Sequence, residues 1–407
     1  MSIAEIVKEN APNLFTIDEK PKFTLRPYQK EAVEAGIRYF QGNSKKNVLL
    51  ILTTGAGKSV VIANMLTPLT GKTIILQPSK EILEQNFAKY ISQGFKAAIY
   101  SASAGQKKVG PVTFCTIGSI INKKHLFEGL EHIIIDECHL VNPKGGMYEE
   151  FISAFPKAKV LGLTATPYRL HNSLEGAQLK FLTRTKPKVF DEVLYYIQNS
   201  ELFDNGYLAK LEYFSFNVVD RSMLQVNSSG TDFTEQSLRR YYRSIDMPSI
   251  IVKYAGRLLA KKPNLLIFCS LIEEAENVTK RIPGAVILTR STRKEDRERI
   301  LSQFKSGKIK CVVNVGVLTT GFDYPELECV LIARSTMSLA LYYQIVGRAM
   351  RPFTFPDGTK KTSWIVDLGG NVNFFGKIET MKIEQTPTGL YYISNNGRQL
   401  TNVPFQK

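Results

Sequence analysis

Short apolar runs alternate with amphipathic stretches along most of the chain, and the alternation begins near residue 21. "VLLILT" (48–53) leads through a glycine-bearing loop into "KSVVIANML". "TIILQ" (73–77) precedes the helical pattern "SKEILEQNFAKYI"; "AAIYS" (97–101), "VTFCT" (112–116), "HIIIDE" (132–137) and "KVLGLT" (159–164) follow. β-Branched runs of this length between helical patterns predict a parallel sheet covered on both faces. The rhythm lapses in the aromatic stretch "VLYYIQNSELFDNGYLAKLEYFSFN". It restarts with "LLIFC" (265–269), "AVILT" (285–289), "CVVNV" (311–315), "CVLIA" (329–333) and "SWIVDL" (363–368), with "SLIEEAENVTKRI" and "RKEDRERILSQFKSG" as helices between them. Two successive α/β sheets are expected, joined near residues 195–215. Beyond Phe375, "GKIETMKIEQTPTGLYYISNNGRQL" predicts two or three small antiparallel strands with an N-N-G turn.

The 407-residue length suits two domains and a small appendage. Charge changes the picture more than length does. Residues 1–200 carry 25 Lys+Arg against 17 Asp+Glu, and residues 201–407 carry 28 against 20, so the net +16 is shared by both halves. Such an excess is no basic tail; it suits a polyanion touching both domains, although solubility alone also accounts for it. The five cysteines (Cys115, Cys138, Cys269, Cys311, Cys329) form no C-x-x-C pair, so neither a disulfide framework nor a structural zinc site is expected. No 18-residue apolar segment exists, and "MSIAEIVKENAPNLF" lacks a signal peptide's charge and apolar block. The expectation is a soluble cytoplasmic protein with no membrane partner.

"LTTGAGKS" (52–59) is nearly a phosphate-binding loop, but Leu52 stands where the general pattern has its first glycine. In such a loop backbone N–H groups and a helix N-terminus surround phosphate oxygens, a lysine adds charge, and Ser or Thr holds Mg²⁺. Gly55 and Gly57 allow close backbone approach, while Lys58 and Ser59 open a predicted helix directly after a predicted strand. Downstream, "IIIDECH" puts Asp136 and Glu137 at the end of an apolar strand. One acid there can bind the Mg²⁺ water shell while its neighbour orients an attacking water. A carboxylate pair at a strand end is ordinarily a solvated turn; its place in the same alternating unit as Lys58 weakens that reading.

From Leu25 to Pro352 the residues resemble, motif after motif and in order, the superfamily 2 helicases and translocases of the DExH type. "LRPYQ" (25–29) resembles the adenine-reading element, with Arg26 and Gln29 as base contacts. "TTGAGKS" is similar to that family's phosphate loop, which commonly lacks the first glycine, so Thr54, Gly55, Ala56, Gly57, Lys58 and Ser59 are expected on ATP. "QPSKEILEQ" (77–85) and "TIGS" (116–119) resemble strand-backbone contact motifs, implicating Pro78, Ser79, Lys80, Thr116, Gly118 and Ser119 in nucleic-acid binding. "DECH" resembles the hydrolysis motif, with Asp136 and Ser59 on Mg²⁺. "LTATPYR" (163–169) resembles the coupling motif: Thr164, Ala165 and Thr166 with His139 for coupling, and Arg169 on nucleic acid. In the second half "IFCS" (267–270), "VLTTGFDYP" (317–325) and "QIVGRAMRP" (344–352) match the remaining motifs. They implicate Ser270 and Thr319 in nucleic-acid contacts and Gly321 and Asp323 at ATP; Asp323 faces the ribose or the coupling network, or caps its loop.

Gln344, Arg348 and Arg351 stand at i, i+4 and i+7, a spacing that lines one helix face. Arginines there can stabilise transition-state charge on a γ-phosphate bound by the first domain when the domains close. Val315 and Gly316 replace the Thr-Asp common in RNA-type relatives, and "NVGVLTTGFDYP", "TATPYR" and "DLGGNVNFFG" (367–376) look more like the phage and bacterial DNA-translocating branch, which includes branch-migration helicases. "RRYYR" (239–243) could touch DNA or belong to a partly buried helix.

The resemblance therefore implies two tandem RecA-like parallel-sheet domains, 1–203 and 204–376, with a small C-terminal extension at 377–407. It implies an ATP- and Mg²⁺-dependent DNA helicase, a monomeric motor on forked or branched DNA, in the host cytoplasm if phage-encoded. Lys58, Glu137, Gln344, Arg348 and Arg351 would be its catalytic residues. A double-strand translocase that separates no strands and an ATP-gated RNA clamp are the alternatives. A P-loop kinase leaves the arginine-bearing half unexplained.

Overall fold

The structure is a computed structural model that describes residues 24–173, 176–228, 230–319 and 321–403; the N-terminal stretch assessed for a signal lies outside them. The chain forms two compact units. The first runs to Pro167 and is completed by Leu182–Ile197; the second takes Tyr168–Phe181 and everything from Gln198 onward.

In the first unit the apolar runs become strands β1 (Val48–Ile51), β2 (Lys72–Gln77), β3 (Ala98–Ser101), β4 (Gln106–Lys107), β5 (Val112–Thr116), β6 (Leu130–Asp136) and β7 (Lys159–Thr164). A hairpin, β8 (Tyr168–Ser173) and β9 (Gly176–Phe181), leaves this unit before β10 (Glu192–Tyr196) returns to it. The sheet order is β10-β1-β7-β6-β2-β5-β3-β4, parallel throughout except for the short β3–β4 pair. β1, β6 and β7 are buried along almost their whole length, which is why they read as continuous apolar runs. Their adjacency matters for function. Ile51 pairs with Thr164 and Asp136 with Leu163, so the loops following β1, β6 and β7 emerge side by side.

The second unit holds β11 (Lys210–Ser215), β12 (Leu265–Phe268), β13 (Val286–Leu288), β14 (Cys311–Asn314), β15 (Cys329–Ile332) and β16 (Thr362–Asp367) in the order β11-β16-β15-β12-β14-β13, all parallel. β10 and β11 fall within the stretch where the apolar rhythm lapses. Both are edge strands, only partly buried, so neither needs a continuous apolar run. Beyond residue 375, β17 (Met381–Gln385), β18 (Tyr391–Asn395) and β19 (Arg398–Gln399) form the expected small antiparallel sheet. Its N-N-G turn places Asn396 at φ 49° and Gly397 at φ 78°, as a two-residue hairpin turn requires.

Two expected boundaries shift. The joint was expected after residue 203, yet Gln198 and the helix Asn199–Asp204 pack with the second unit. Asn199 donates to the Ile378 carbonyl (2.8 Å) and accepts from the Tyr343 hydroxyl (2.8 Å). Nor do residues 377–403 stand apart. Asn402 Oδ1 accepts from the Phe181 N–H at 3.0 Å and Tyr391 stacks on Phe181, so the small sheet holds the β8–β9 hairpin inside the second unit. All five cysteines are free and buried. Among the described residues no helix is long and apolar enough to cross a membrane.

Candidate functional site

The loop after β1 turns on two glycines in the left-handed region, Gly55 at φ 92° and Gly57 at φ 84°, and Gly57 opens the helix Lys58–Leu66. Leu52 is a buried core residue, 0% exposed, whose N–H pairs with the Thr164 carbonyl (3.1 Å). The loop therefore enters its turn from strand backbone, and no glycine is needed there. Ala56 is locked from the preceding helix: Tyr28 Oη and Gln29 Nε2 both donate to its carbonyl, at 2.8 and 2.9 Å. Gln29 Oε1 accepts from the Arg26 N–H (3.0 Å). The element expected to read adenine is thus bonded to the phosphate loop, and Tyr28, which the sequence reading passed over, shares that role.

Lys58 Nζ lies 2.9 Å from Glu137 Oε1, with the two side chains 13% and 19% exposed. Glu137 occupies the left-handed region at φ 51°, an uncommon conformation for a residue of its bulk and one that clusters at functional sites. Its other oxygen lies 3.4 Å from His139 Nδ1, which is 2.9 Å from Thr164 Oγ1; Thr164 in turn accepts from the Thr166 N–H (3.0 Å). A polar chain therefore links Lys58, Glu137, His139, Thr164 and Thr166 across the ends of three adjacent strands. Ala165 and Thr166 are buried within the turn.

Asp136 is 3% exposed; its Oδ1 accepts from the Glu137 N–H (3.0 Å) and its Oδ2 from Asn86 Nδ2 (3.0 Å). Burial, and then the neighbouring Glu137 charge, push its carboxyl above the usual carboxylate range, against the pull of Lys58 and these donors. A buried carboxylate of this kind favours a nearby cation, and hard oxygen donors with Ser59 at the start of the adjoining helix suit Mg²⁺. Asn86 was missed by sequence reasoning. It also donates to Gln77 Oε1 (3.1 Å), and its signal was a polar residue lying between the buried Leu83 and Phe87 on the inner side of the helix Lys80–Ser92.

The expected nucleic-acid contacts of this unit are less free than their motifs suggest. Ser79 Oγ caps the helix Lys80–Ser92 by accepting from the Ile82 N–H (3.4 Å), and Lys80 pairs with Glu84 (3.5 Å). Thr116 Oγ1 is 2.9 Å from Ser119 Oγ, which accepts from the Ala102 N–H; Gly118 beside them is exposed. Pro78 directly precedes the cap. Arg169 lies on β8, hence in the second unit, and burial lowers its guanidinium pKa.

In the second unit the proposed single helix face for Gln344, Arg348 and Arg351 does not form. The helix Leu339–Gly347 ends one residue before Arg348; Ala349 and Met350 pair with carbonyls three residues back. Arg351 precedes Pro352, whose ring disfavours helical geometry at the residue before it. Gln344 and Arg348 remain a turn apart, and Arg348 donates to the Gln344 carbonyl (3.2 Å) and the Phe322 carbonyl. Arg351 reaches Asp323 by another path, Nε to Oδ1 at 3.0 Å. Ser270, two residues past β12, has its N–H on Glu274 (3.3 Å), and Gly321 and Thr319 sit in the loop leading to Asp323. In "RRYYR", Arg239 and Arg243 pair with Glu273 (2.9 and 3.5 Å) and Tyr242 is buried against Ser335, which favours the packed-helix reading.

Comparison with known proteins agrees with this geometry. Residues 22–169 match the family described as type III restriction enzyme, res subunit, and residues 249–352 match the helicase conserved C-terminal domain. The chain is 24% identical over 366 residues to IRC3 of Saccharomyces cerevisiae, named as a candidate ATP-dependent helicase, covering 80% of this chain and 49% of IRC3. It is 25% identical over 366 residues to the DNA 3'-5' translocase XPB2 of Sulfurisphaera tokodaii, covering 82% of this chain and 80% of that protein. Among solved structures, a fragment assigned as the HsdR subunit of a type I restriction enzyme from Vibrio vulnificus superposes with a TM-score of 0.66 at 20% identity, over 88% of this chain and 67% of that one. The chain thus spans about half the length of IRC3, and its two units have the RecA-like fold.

Proposed function

The chain belongs to the superfamily 2 helicases, and from that premise we propose that it couples ATP hydrolysis to movement on DNA. The observation that carries the reading is the Lys58–Glu137 pair, held at the ends of adjacent strands together with Asp136, His139 and Thr164. In this reading the N–H groups of residues 54–59 cradle the phosphates and Lys58 meets their charge. Arg26 and Gln29 face the base. Ser59 and Asp136 would hold Mg²⁺, which supplies charge neutralisation at the phosphates when bound. Glu137 orients the attacking water, and His139, Thr164, Ala165 and Thr166 pass the state of the site onward. Arg348 and Arg351 of the second unit supply positive charge to the transition state, Gln344 adds a neutral hydrogen-bonding side chain beside them, and Gly321 and Asp323 belong to the same nucleotide-dependent set.

DNA as the track is supported by the name of the Sulfurisphaera relative and by the even spread of positive charge. We assign Pro78, Ser79, Lys80, Thr116, Gly118, Ser119, Arg169, Ser270 and Thr319 to the strand backbone. Contacts to phosphates carry little sequence information, so selectivity rests on shape, and forked or four-way DNA is the proposed substrate. The test compares ATP hydrolysis on single-stranded, duplex, forked and four-way DNA and on RNA at matched salt, while strand release is followed by gel. Stronger stimulation by forked or four-way DNA, with strand release and a steep salt dependence of about −0.9 in log–log slope per neutralised phosphate, supports the proposal. Equal stimulation by linear duplex without strand release would instead identify a pure double-strand translocase, and stimulation by RNA alone would overturn the DNA assignment.

A further inference from the structure

A buried lysine underlies the arginine segment of the second unit. Lys361 is 2% exposed, and its Nζ donates to the carbonyls of Pro325 (2.7 Å), Leu327 (3.0 Å) and Ala349 (3.1 Å). Three acceptors around one nitrogen match the three N–H groups of an ammonium. Ser363 Oγ lies within bonding distance of two of the same carbonyls, Leu327 (3.2 Å) and Ala349 (3.0 Å).

These carbonyls are not scattered. Pro325 lies two residues after Asp323, and Ala349 stands between Arg348 and Arg351 at the point where the helix Leu339–Gly347 has already ended. The lysine therefore ties the segment carrying Asp323 to the segment carrying Arg351. The same two segments are also joined by the Arg351–Asp323 pair and the Arg348 bond to the Phe322 carbonyl. Burial lowers the Lys361 pKa to about 7, so keeping this amine charged is costly, and an apolar side chain of similar size would spare the desolvation. The lysine's particular capacity is to fix three carbonyls at once.

We infer that Lys361 is a positioning residue for the proposed hydrolysis: by holding the carbonyls of Pro325, Leu327 and Ala349 it sets where Arg351 stands. The inference rests on the proposed ATP hydrolysis and on the part given there to Arg351. A side chain acting through Arg351 has no effect once Arg351 is gone, whereas a merely structural tie weakens the protein in either background.

The experiment uses the full chain with saturating DNA and compares wild type, Lys361→Gln, Arg351→Ala and the double variant. It reads kcat, KM for ATP and the thermal midpoint of each. Misplacement of a reacting group by an ångström costs ~10²-fold in rate, so Lys361→Gln is expected to lower kcat toward that extent with KM for ATP essentially unchanged. In the Arg351→Ala background the same substitution should leave kcat where it was while lowering the thermal midpoint as much as before. Equal fractional losses of kcat in both backgrounds, or wild-type kcat in folded Lys361→Gln, would overturn the inference. If Lys361→Gln does not fold, Ser363→Ala, which removes a donor facing the same carbonyls, replaces it in the cycle with the same criteria. Normal hydrolysis by Arg351→Ala alone would defeat the functional reading first, and the inference with it.

Discussion

Glu137→Gln should bind ATP more tightly than the wild-type chain while hydrolysing it far more slowly. Lys58 spends its charge on Glu137 at 2.9 Å, in a pair whose side chains are 13% and 19% exposed. In the proposed role the ammonium must turn to a phosphate, so ATP competes with Glu137 for Lys58. Gln keeps the shape and a carbonyl oxygen that Lys58 can still bond, but removes the opposite charge, and an ion pair's charge–charge part contributes up to about 1 kcal/mol, so freeing Lys58 becomes cheaper and ATP affinity should rise up to roughly 5-fold. Backbone strain does not confuse the comparison, because Gln meets the same positive φ as Glu at this position. Hydrolysis should fall ~10²–10⁴-fold, the usual contribution of a positioned acid–base group. Equilibrium titration with ATP and Mg²⁺ in the absence of DNA measures the first effect, and single-turnover hydrolysis on saturating DNA the second. Weaker ATP binding by the variant would show that Lys58 is not released from Glu137 on binding, and near-normal hydrolysis would remove Glu137 from the chemistry.

Two further outcomes follow from the same geometry. A Cβ added at Gly57 would lie 2.6 Å from Gln29 Nε2 at φ +84°, so Gly57→Ala must displace the side chain that holds the Ala56 carbonyl; with backbone strain of about 1–3 kcal/mol, ATP affinity should drop ~10-fold or more, and an unchanged titration would show that the Gln29 tie is dispensable. Burial pushes the Glu274 carboxyl up to about 8, so the stability this group contributes is present below its unfolded value and lost as pH rises through about 8. Glu274→Gln can still accept from the Ser270 and Leu271 N–H groups but carries no charge to desolvate, so its thermal midpoint should gain on wild type between pH 6 and pH 9, by about 2–4 °C per kcal/mol. Parallel pH curves for the two proteins would refute that assignment.

What the sequence made legible follows from how each feature is encoded. Strands such as β6 and β14 are buried on both faces, so they must be apolar along their length and announce themselves. The phosphate loop is legible for a different reason: its glycines and its lysine act through neighbouring backbone and so sit at fixed spacing. β10 and β11 escape because an edge strand can be aromatic and charged and still pair. The face expected for Arg351 failed at Pro352, a local signal that was present but outweighed by periodicity. The placement of β8–β9 was beyond local reading altogether, since Phe181 is held by Asn402, 221 residues away. Lys361 was hidden most thoroughly. It stands in "DGTKKT", which reads as a solvated basic turn, and only the packing of three distant carbonyls makes it a buried amine with three acceptors. Motif spacing therefore discloses groups that face a ligand, while groups that position them from behind are encoded in contacts far apart along the chain. The residues in greatest need of mutational test are accordingly those, like Asn86 and Lys361, that no motif contains.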